Sequence, residues 1–391
     1  MAHERARHIL KQLKKKAKLW PVVGLLGARQ TGKSTLLRQQ LQKILAAKYL
    51  VMDRKSIRTQ AENAPEHFIT SQSNSLKIPL ILDEVQRVPD LFEAIKVEVD
   101  ERRIPGRFLI SGSTEFSKRT GIRESLTGRI GTMHLFPFTI AEILELSFAN
   151  PWVSMKPSRR CSSADLESYF EKGGMPGACF LRNDEERKEY FEGWLDTTCF
   201  RDLQQVKGVR LEGSLAMDIL YALARLQNPS ITMLKRDLHG DPRKLQKHLE
   251  GLEALFVIHS VDPHPLGIGK RRYFIFDCGL ARYLGASMER CRSIWAMNEC
   301  LAQYEYSGLA RPKINYFESK KHAFVDWVID DRKVERAVLI SDEEVPHEFR
   351  LRSLGALREK NPKIALHVLA PVHELFEDES GIVHLPWRGM A

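Results

Sequence analysis

The chain has 391 residues, 43% of them hydrophobic and 28% charged, with a formal net charge of +10. That length predicts two or three domains, and the balance fits a soluble globular protein with room for acidic partners such as nucleic acid. Six cysteines without a Cys-x-x-Cys pair indicate neither a disulfide framework nor a zinc site, and no apolar run approaches the ~20 residues that span a bilayer, so a cytoplasmic chain without membrane contact is expected.

From Arg5 to Lys18 the chain is basic, and Trp20–Ala28 is apolar, an order that imitates a signal peptide. No small-residue cleavage site follows, so the stretch reads as a solvated basic helix leading into a strand; a nucleic-acid contact is the sharper alternative. The strand, Pro21–Leu26, is short, apolar and partly β-branched. It runs into Gly27, Ala28, Arg29, Gln30, Thr31, Gly32, Lys33 and Ser34, which satisfy G-x-x-x-x-G-K-[ST], and Thr35 continues into a helical apolar stripe. Glycines in such a loop let backbone N–H groups point at phosphate oxygens at a helix N-terminus. Lys33 is expected to reach the β- and γ-phosphates of ATP, and Ser34 to ligate Mg2+.

A second strand is expected at Tyr49–Asp53, and a third at Ile78–Glu84 ending in two carboxylates. Asp83 is placed to hold the magnesium through water and Glu84 to activate the attacking water. Arg107–Ile110 forms another strand before Ser111-Gly112-Ser113-Thr114. Ser113 is the candidate to bond the γ-phosphate or the water, with Ser111 as competitor and an ordinary helix N-cap as alternative. Ser125-Leu126-Thr127-Gly128-Arg129 then precedes an apolar strand expected at Met133–Phe138.

The runs GARQTGKSTLL, LILDEVQ, LISGST, SLTGRI and FPFTIAEI together resemble a prokaryotic AAA+ ATPase family whose C-terminal half carries a domain of uncharacterised function. The resemblance implies an α/β fold with a P-loop AAA+ parallel-sheet core over residues 1–150, a helical lid over 151–210, a winged helix over 211–285 and a C-terminal α/β nuclease-like domain over 286–391. It implies that Gln86 follows the acidic strand, that Ser113 is a sensor, that Arg129 is an arginine finger acting on a neighbouring subunit, and that Pro137 to Glu142 closes the core. A homo-oligomeric ring or partial ring, a hexamer among its forms, follows from the finger.

Beyond the Pro- and Ser-rich stretch 150–163, the Gly173-Gly174-Met175-Pro176 turn and Arg201-Asp202 resemble lid motifs of the family, with Arg201 paired to Asp202 or reaching nucleotide. Helices at Ser214–Leu226, Ser230–Leu238 and Arg243–Ala254 and strands at Phe256–Val261 and Arg272–Phe276 give a winged-helix pattern. Lys244, Lys247 and His248 are expected opposite the leucines of its third helix, and Lys270, Arg271 and Arg272 at the hairpin tip, all placed for DNA phosphates. In the last domain Glu299 and Asp326 stand where the family's nuclease acids would be. The following strand, Ala337–Ser341, lacks the Glu-x-Lys that phosphodiester cleavage needs, and Lys333 and Glu335 precede it, so a non-cutting domain is expected.

Overall fold

Five short apolar segments form one parallel sheet: β1 (Val22–Leu26), β2 (Lys48–Val51), β3 (Leu80–Asp83), β4 (Phe108–Gly112) and β5 (Ile130–His134), in the order β2-β3-β4-β1-β5. The computed structural model describes residues 5–74, 78–115, 126–157, 161–206 and 211–391, the side chains of residues 73 and 74 excepted. β1, β3 and β4 are buried along their whole length, as near-continuous apolar runs in a parallel sheet require. Because the strands are parallel, the residues after β1, β3 and β4 emerge at one edge of the sheet, where such sheets place their ligands.

β5 begins three residues before the strand expected at Met133–Phe138. Its register with β1, from Val22↔Ile130 to Leu26↔His134, ends with β1 itself. Beyond it the backbone turns away, so that the Phe136 N–H and carbonyl bond Tyr306 and Arg7 instead of a strand. The N-terminal helix Leu10–Ala17 buries Leu13 and Ala17 and exposes Lys11, Lys14 and Lys15, as the basic stretch led one to expect.

The middle of the chain is helical: Ser163–Lys172, Asp184–Asp196 with a π-wound continuation Thr197–Asp202, Gly213–Arg225, Ile231–Leu238 and Pro242–Ala254. The hairpin of β6 (Ile258–Pro263) and β7 (Arg272–Ile275) follows. This hairpin is not a free-standing wing. Asp262 and Pro263 of β6 pair with Asn315 and Tyr316 of β8 (Lys313–Glu318), which makes the hairpin the edge of a second sheet. That sheet continues through β9 (Phe324–Asp330), β10 (Glu335–Ile340), β11 (Ala365–Ala370), β13 (Ile382–Pro386) and β12 (Phe376–Glu377). A boundary at 285 therefore runs through a hydrogen-bonded sheet.

The helix Met288–Ser307 is buried on nearly every side. Its last turns reach the first sheet, where Glu305 accepts from the His134 N–H at 3.0 Å and the Gln303 carbonyl accepts from Asn150 at 2.9 Å. One apolar cluster consequently runs from Ile9 to Ala391 through Trp152, Trp194, Trp295 and Trp387. All six cysteines are buried and free, and no described helix is long and apolar enough to cross a membrane.

Candidate nucleotide-binding and hydrolysis site

The loop between β1 and the helical residues Lys33–Thr35 owes its shape to positions that demand left-handed backbone. Gly32 has φ 97° and Gly27 φ 155°, where a Cβ would stand 2.4 Å from the Leu135 carbonyl oxygen. Gln30 adopts φ 62° without being glycine, a strain that persists only when its surroundings enforce it. Lys33 is 4% exposed, and its ammonium donates to the carbonyls of Gly27 at 2.9 Å and Ala28 at 2.8 Å. Thr31 Oγ1 donates to the Ala28 carbonyl at 2.9 Å. Burial lowers the Lys33 pKa, and the facing Glu84 and Asp83 oppose that shift. The result is a tightly turned glycine-containing loop around a buried cation at the start of a helix, a combination suited to phosphate.

Asp83 is fully buried, and both carboxylate oxygens are held: Oδ1 accepts from the Ser111 hydroxyl and Oδ2 from the Tyr49 hydroxyl. Tyr49 also meets Ser34, and its pKa is pushed above the ordinary phenol range by burial first and then by Asp83. Ser34 and Asp83 thus share one neighbour although 49 positions separate them, giving an all-oxygen donor pair of the kind Mg2+ takes. Glu84 follows β3 directly, in the left-handed region at φ 57° and ψ 42°. That conformation turns its side chain away from Asp83's partners, so that its carboxylate accepts from Gln86 and from Ser113 Oγ at 3.2 Å. Ser111 and Ser113 therefore divide the work, one on each carboxylate, and Ser111 Oγ also accepts from the Glu84 N–H at 3.1 Å. A helix capped by Ser113 or Thr114 would lie in residues 116–125, outside the described residues, as does Ser125.

Arg129 stands at the opposite edge of the sheet. Its carbonyl accepts from the Val22 N–H at the start of β1, so the length of a five-residue strand, roughly 16 Å, separates it from the loop of its own chain. Its guanidinium is bidentate on Asp100 at 2.6 and 2.7 Å. Arg29 of the loop reaches the middle region, pairing with Asp202 at 2.9 Å, and Asp202 also holds Arg201 at 3.1 Å. Arg7, Tyr49, Trp194 and Asp202 touch the loop or its carboxylates and were not singled out as site residues by the sequence reading. Each acts through a contact remote in sequence, which no local spacing records.

The basic residues expected at DNA are largely engaged. Lys244 pairs with Glu212 at 3.3 Å, and Arg271 is bidentate on Asp262 at 2.8 and 3.1 Å. Two placements are corrected. Arg272 is 9% exposed, stacked over the Tyr316 ring at 3.7 Å and paired with Glu318, because β7 lies at the covered edge of the second sheet. His248 is 3% exposed, with Nε2 accepting from the Glu212 N–H at 2.9 Å, so it faces inward with the leucines. Lys247 and Lys270 are exposed. In the second sheet Asp326 is held by Arg350 at 2.9 Å and by the Ile340 N–H at 2.8 Å. Glu335 bonds His264 and Asn361, and Glu299 lies in the core on Gln303. These acids do not converge, and no cluster of three His, Cys, Asp or Glu side chains suited to a metal occurs among the described residues.

Residues 20–144 match the family model described as an AAA domain, and residues 163–290 match one described as a domain of unknown function, DUF8612. An uncharacterised protein of Mycobacterium tuberculosis is 27% identical over 323 residues, covering 79% of this chain and 68% of that protein; one of Mycobacterium bovis matches to the same extent. Among solved structures, a signal-transduction ATPase with numerous domains and a tetratricopeptide-repeat sensor from Pyrococcus horikoshii is 13% identical, with TM-score 0.32. The match covers 78% of this chain but about half, 48%, of that one. AMPPCP-bound DnaA from Aquifex aeolicus is 16% identical with TM-score 0.28, over 63% of this chain and 85% of that one.

Proposed function

Residues 20–144 are an AAA domain of the P-loop type, and from that premise we propose that the chain binds ATP with Mg2+ and hydrolyses it as a member of a homo-oligomer, a ring or partial ring. The observation that carries the reading is the setting of Glu84: a carboxylate in strained left-handed backbone, fixed by Ser113 and Gln86, beside Asp83 and the buried Lys33. In this reading the N–H groups of residues 27–35 bind the phosphates, and Lys33 neutralises charge that develops on them. Ser34 and Asp83 would hold Mg2+, which supplies further charge neutralisation at the phosphates. Glu84 takes the proton of the attacking water, with Ser113 and Gln86 fixing its direction. Arg129 belongs to the site of the next copy, since its own is a strand length away. The test is phosphate release by the purified chain with ATP and Mg2+, against Lys33→Ala. Equal rates for the two proteins would refute hydrolysis at this loop.

What the hydrolysis drives has two readings. In the first, it remodels DNA or a DNA-bound partner, touched through a winged helix at Lys244, Lys247, Lys270 and Arg271. In the second, the protein is a nucleotide-gated switch acting on protein partners. The second is favoured by the pairing of Lys244 with Glu212, Arg271 with Asp262 and Arg272 with Glu318, which leaves Lys247 and Lys270 as the members of this basic set without a carboxylate partner among the described residues. ATPase rates with and without single-stranded, duplex and branched DNA decide: stimulation that falls steeply with salt supports DNA, and indifference supports the switch.

A further inference from the structure

We propose that Arg7 and Trp194 are positioning residues that hold the phosphate loop in its anion-binding shape from outside the P-loop domain, and that Arg7 ties this shape to Tyr306 in the Met288–Ser307 helix. The inference rests on the ATP-binding reading above.

A nest of N–H groups binds an anion only if those groups point inward. In a trans peptide the carbonyl and the N–H point in opposite directions, so a donor that holds a loop carbonyl outward fixes the N–H of the following residue inward. The loop holds two of its own carbonyls, Gly27 and Ala28, through Lys33 and Thr31. Two further carbonyls, those of Arg29 and Thr31, receive remote donors. Trp194 Nε1 donates to the Arg29 carbonyl at 3.3 Å, which orients the Gln30 N–H. Arg7 Nη1 donates to the Thr31 carbonyl at 2.8 Å, which orients the Gly32 N–H. Both bonds fall at strained turns of the loop, since the N–H groups they orient belong to Gln30 and Gly32, its two left-handed positions between Gly27 and Lys33.

Both donors are themselves anchored. Trp194 is 1% exposed and stacks on Phe276 with 5.4 Å between centroids. Arg7 is 4% exposed, lies 4.4 Å over the Phe138 ring, and reaches Glu142 at 3.2 Å and the Phe136 carbonyl at 2.7 Å. Its Nη2 also donates to the Tyr306 hydroxyl at 3.3 Å, which accepts the Phe136 N–H at 3.2 Å. A shift of the Met288–Ser307 helix therefore moves Arg7, and Arg7 moves the Thr31–Gly32 peptide.

The test measures the dissociation constants of Mg–ATP and Mg–ADP, the ATPase KM and kcat, and the melting temperature of the nucleotide-free protein. The proteins compared are wild type, Arg7→Gln, Arg7→Lys, Trp194→Phe and Tyr306→Phe. Trp194→Phe keeps an aromatic ring against Phe276 but loses the N–H together with part of the indole, a packing loss that the melting temperature reports; it is expected to raise both dissociation constants and KM about 3- to 10-fold with kcat unchanged. Arg7→Gln is expected to weaken binding about 10- to 100-fold, with partial rescue in Arg7→Lys, and Tyr306→Phe to weaken it about 3-fold. If Arg7→Gln does not fold, the two hydroxyl- and N–H-deletion variants carry the test. Wild-type dissociation constants in Trp194→Phe overturn its role, and in Tyr306→Phe the link to the helix. A wild-type protein that binds neither nucleotide overturns the ATP reading instead, a result distinct from either.

Discussion

Glu84 occupies a left-handed backbone conformation that non-glycine residues ordinarily avoid, and it does so where two hydrogen-bond donors meet its carboxylate. If that carboxylate is the base, Glu84→Gln retains the shape of the site and loses the proton acceptor. ATP binding measured by calorimetry then stays at the wild-type level while phosphate release falls about 10²- to 10⁴-fold; an undiminished rate would remove Glu84 from the mechanism. Tyr49 bears on the metal instead, because its hydroxyl fixes one oxygen of Asp83 and meets Ser34. Tyr49→Phe is expected to raise the Mg2+ concentration for half-maximal ATPase activity about tenfold, with the rate recovered at saturating Mg2+. Lys33, Ser34, Asp83 and Glu84 were legible in the sequence because loop and strand end impose their spacing locally. Tyr49 and Arg7 were not. Tyr49 is separated from Asp83 by 34 positions and Arg7 from Thr31 by 24, and an aromatic in a strand or a basic residue before a helix carries no local mark of such a partner.

At the scale of elements, the alternation of apolar and turn residues located the helices Gly213–Arg225, Ile231–Leu238 and Pro242–Ala254 and the strands β6, β7 and β10 within a few residues. It did not reveal that β6 pairs with β8, since strand pairing at a distance depends on which edges remain open rather than on either sequence. Nor did it reveal how deeply the Met288–Ser307 helix is buried, although its many apolar and small residues lie on all faces. That burial has a measurable consequence at Glu299. Burial raises the carboxyl pKa to about 8, against the hydrogen bond from Gln303 and with a contribution from Glu142. The folded chain then keeps a proton that the unfolded chain releases near the ordinary value of 4.5. Its stability contribution is present below that value and is lost as pH rises toward 8. Glu299→Gln should flatten this part of the profile, so that urea midpoints at pH 5 and pH 8 lie closer together than in wild type. An unchanged difference would mean that Glu299 does not titrate as its burial implies.

At the scale of the whole molecule, the loop and Arg129 lie at opposite edges of one sheet, so in the proposed reading a single copy presents the nucleotide loop on one side and its arginine on the other. In the proposed oligomer, head-to-tail contact between copies would join the two and generate a ring where the rotation closes. On that proposal the exposed pair of Arg129 with Asp100 would be exchanged for the neighbour's phosphate. The most direct measurement of this account is the ATPase rate of an equimolar mixture of Lys33→Ala and Arg129→Ala chains. Each variant alone is expected to be nearly inactive, the first without its phosphate lysine and the second without a finger to offer. Random assembly places an intact loop against an intact finger at about one site in four, so the mixture should recover up to about a quarter of the wild-type rate. A mixture no more active than its components, or an Arg129→Ala protein as active as wild type, would contradict a site completed by the neighbouring copy.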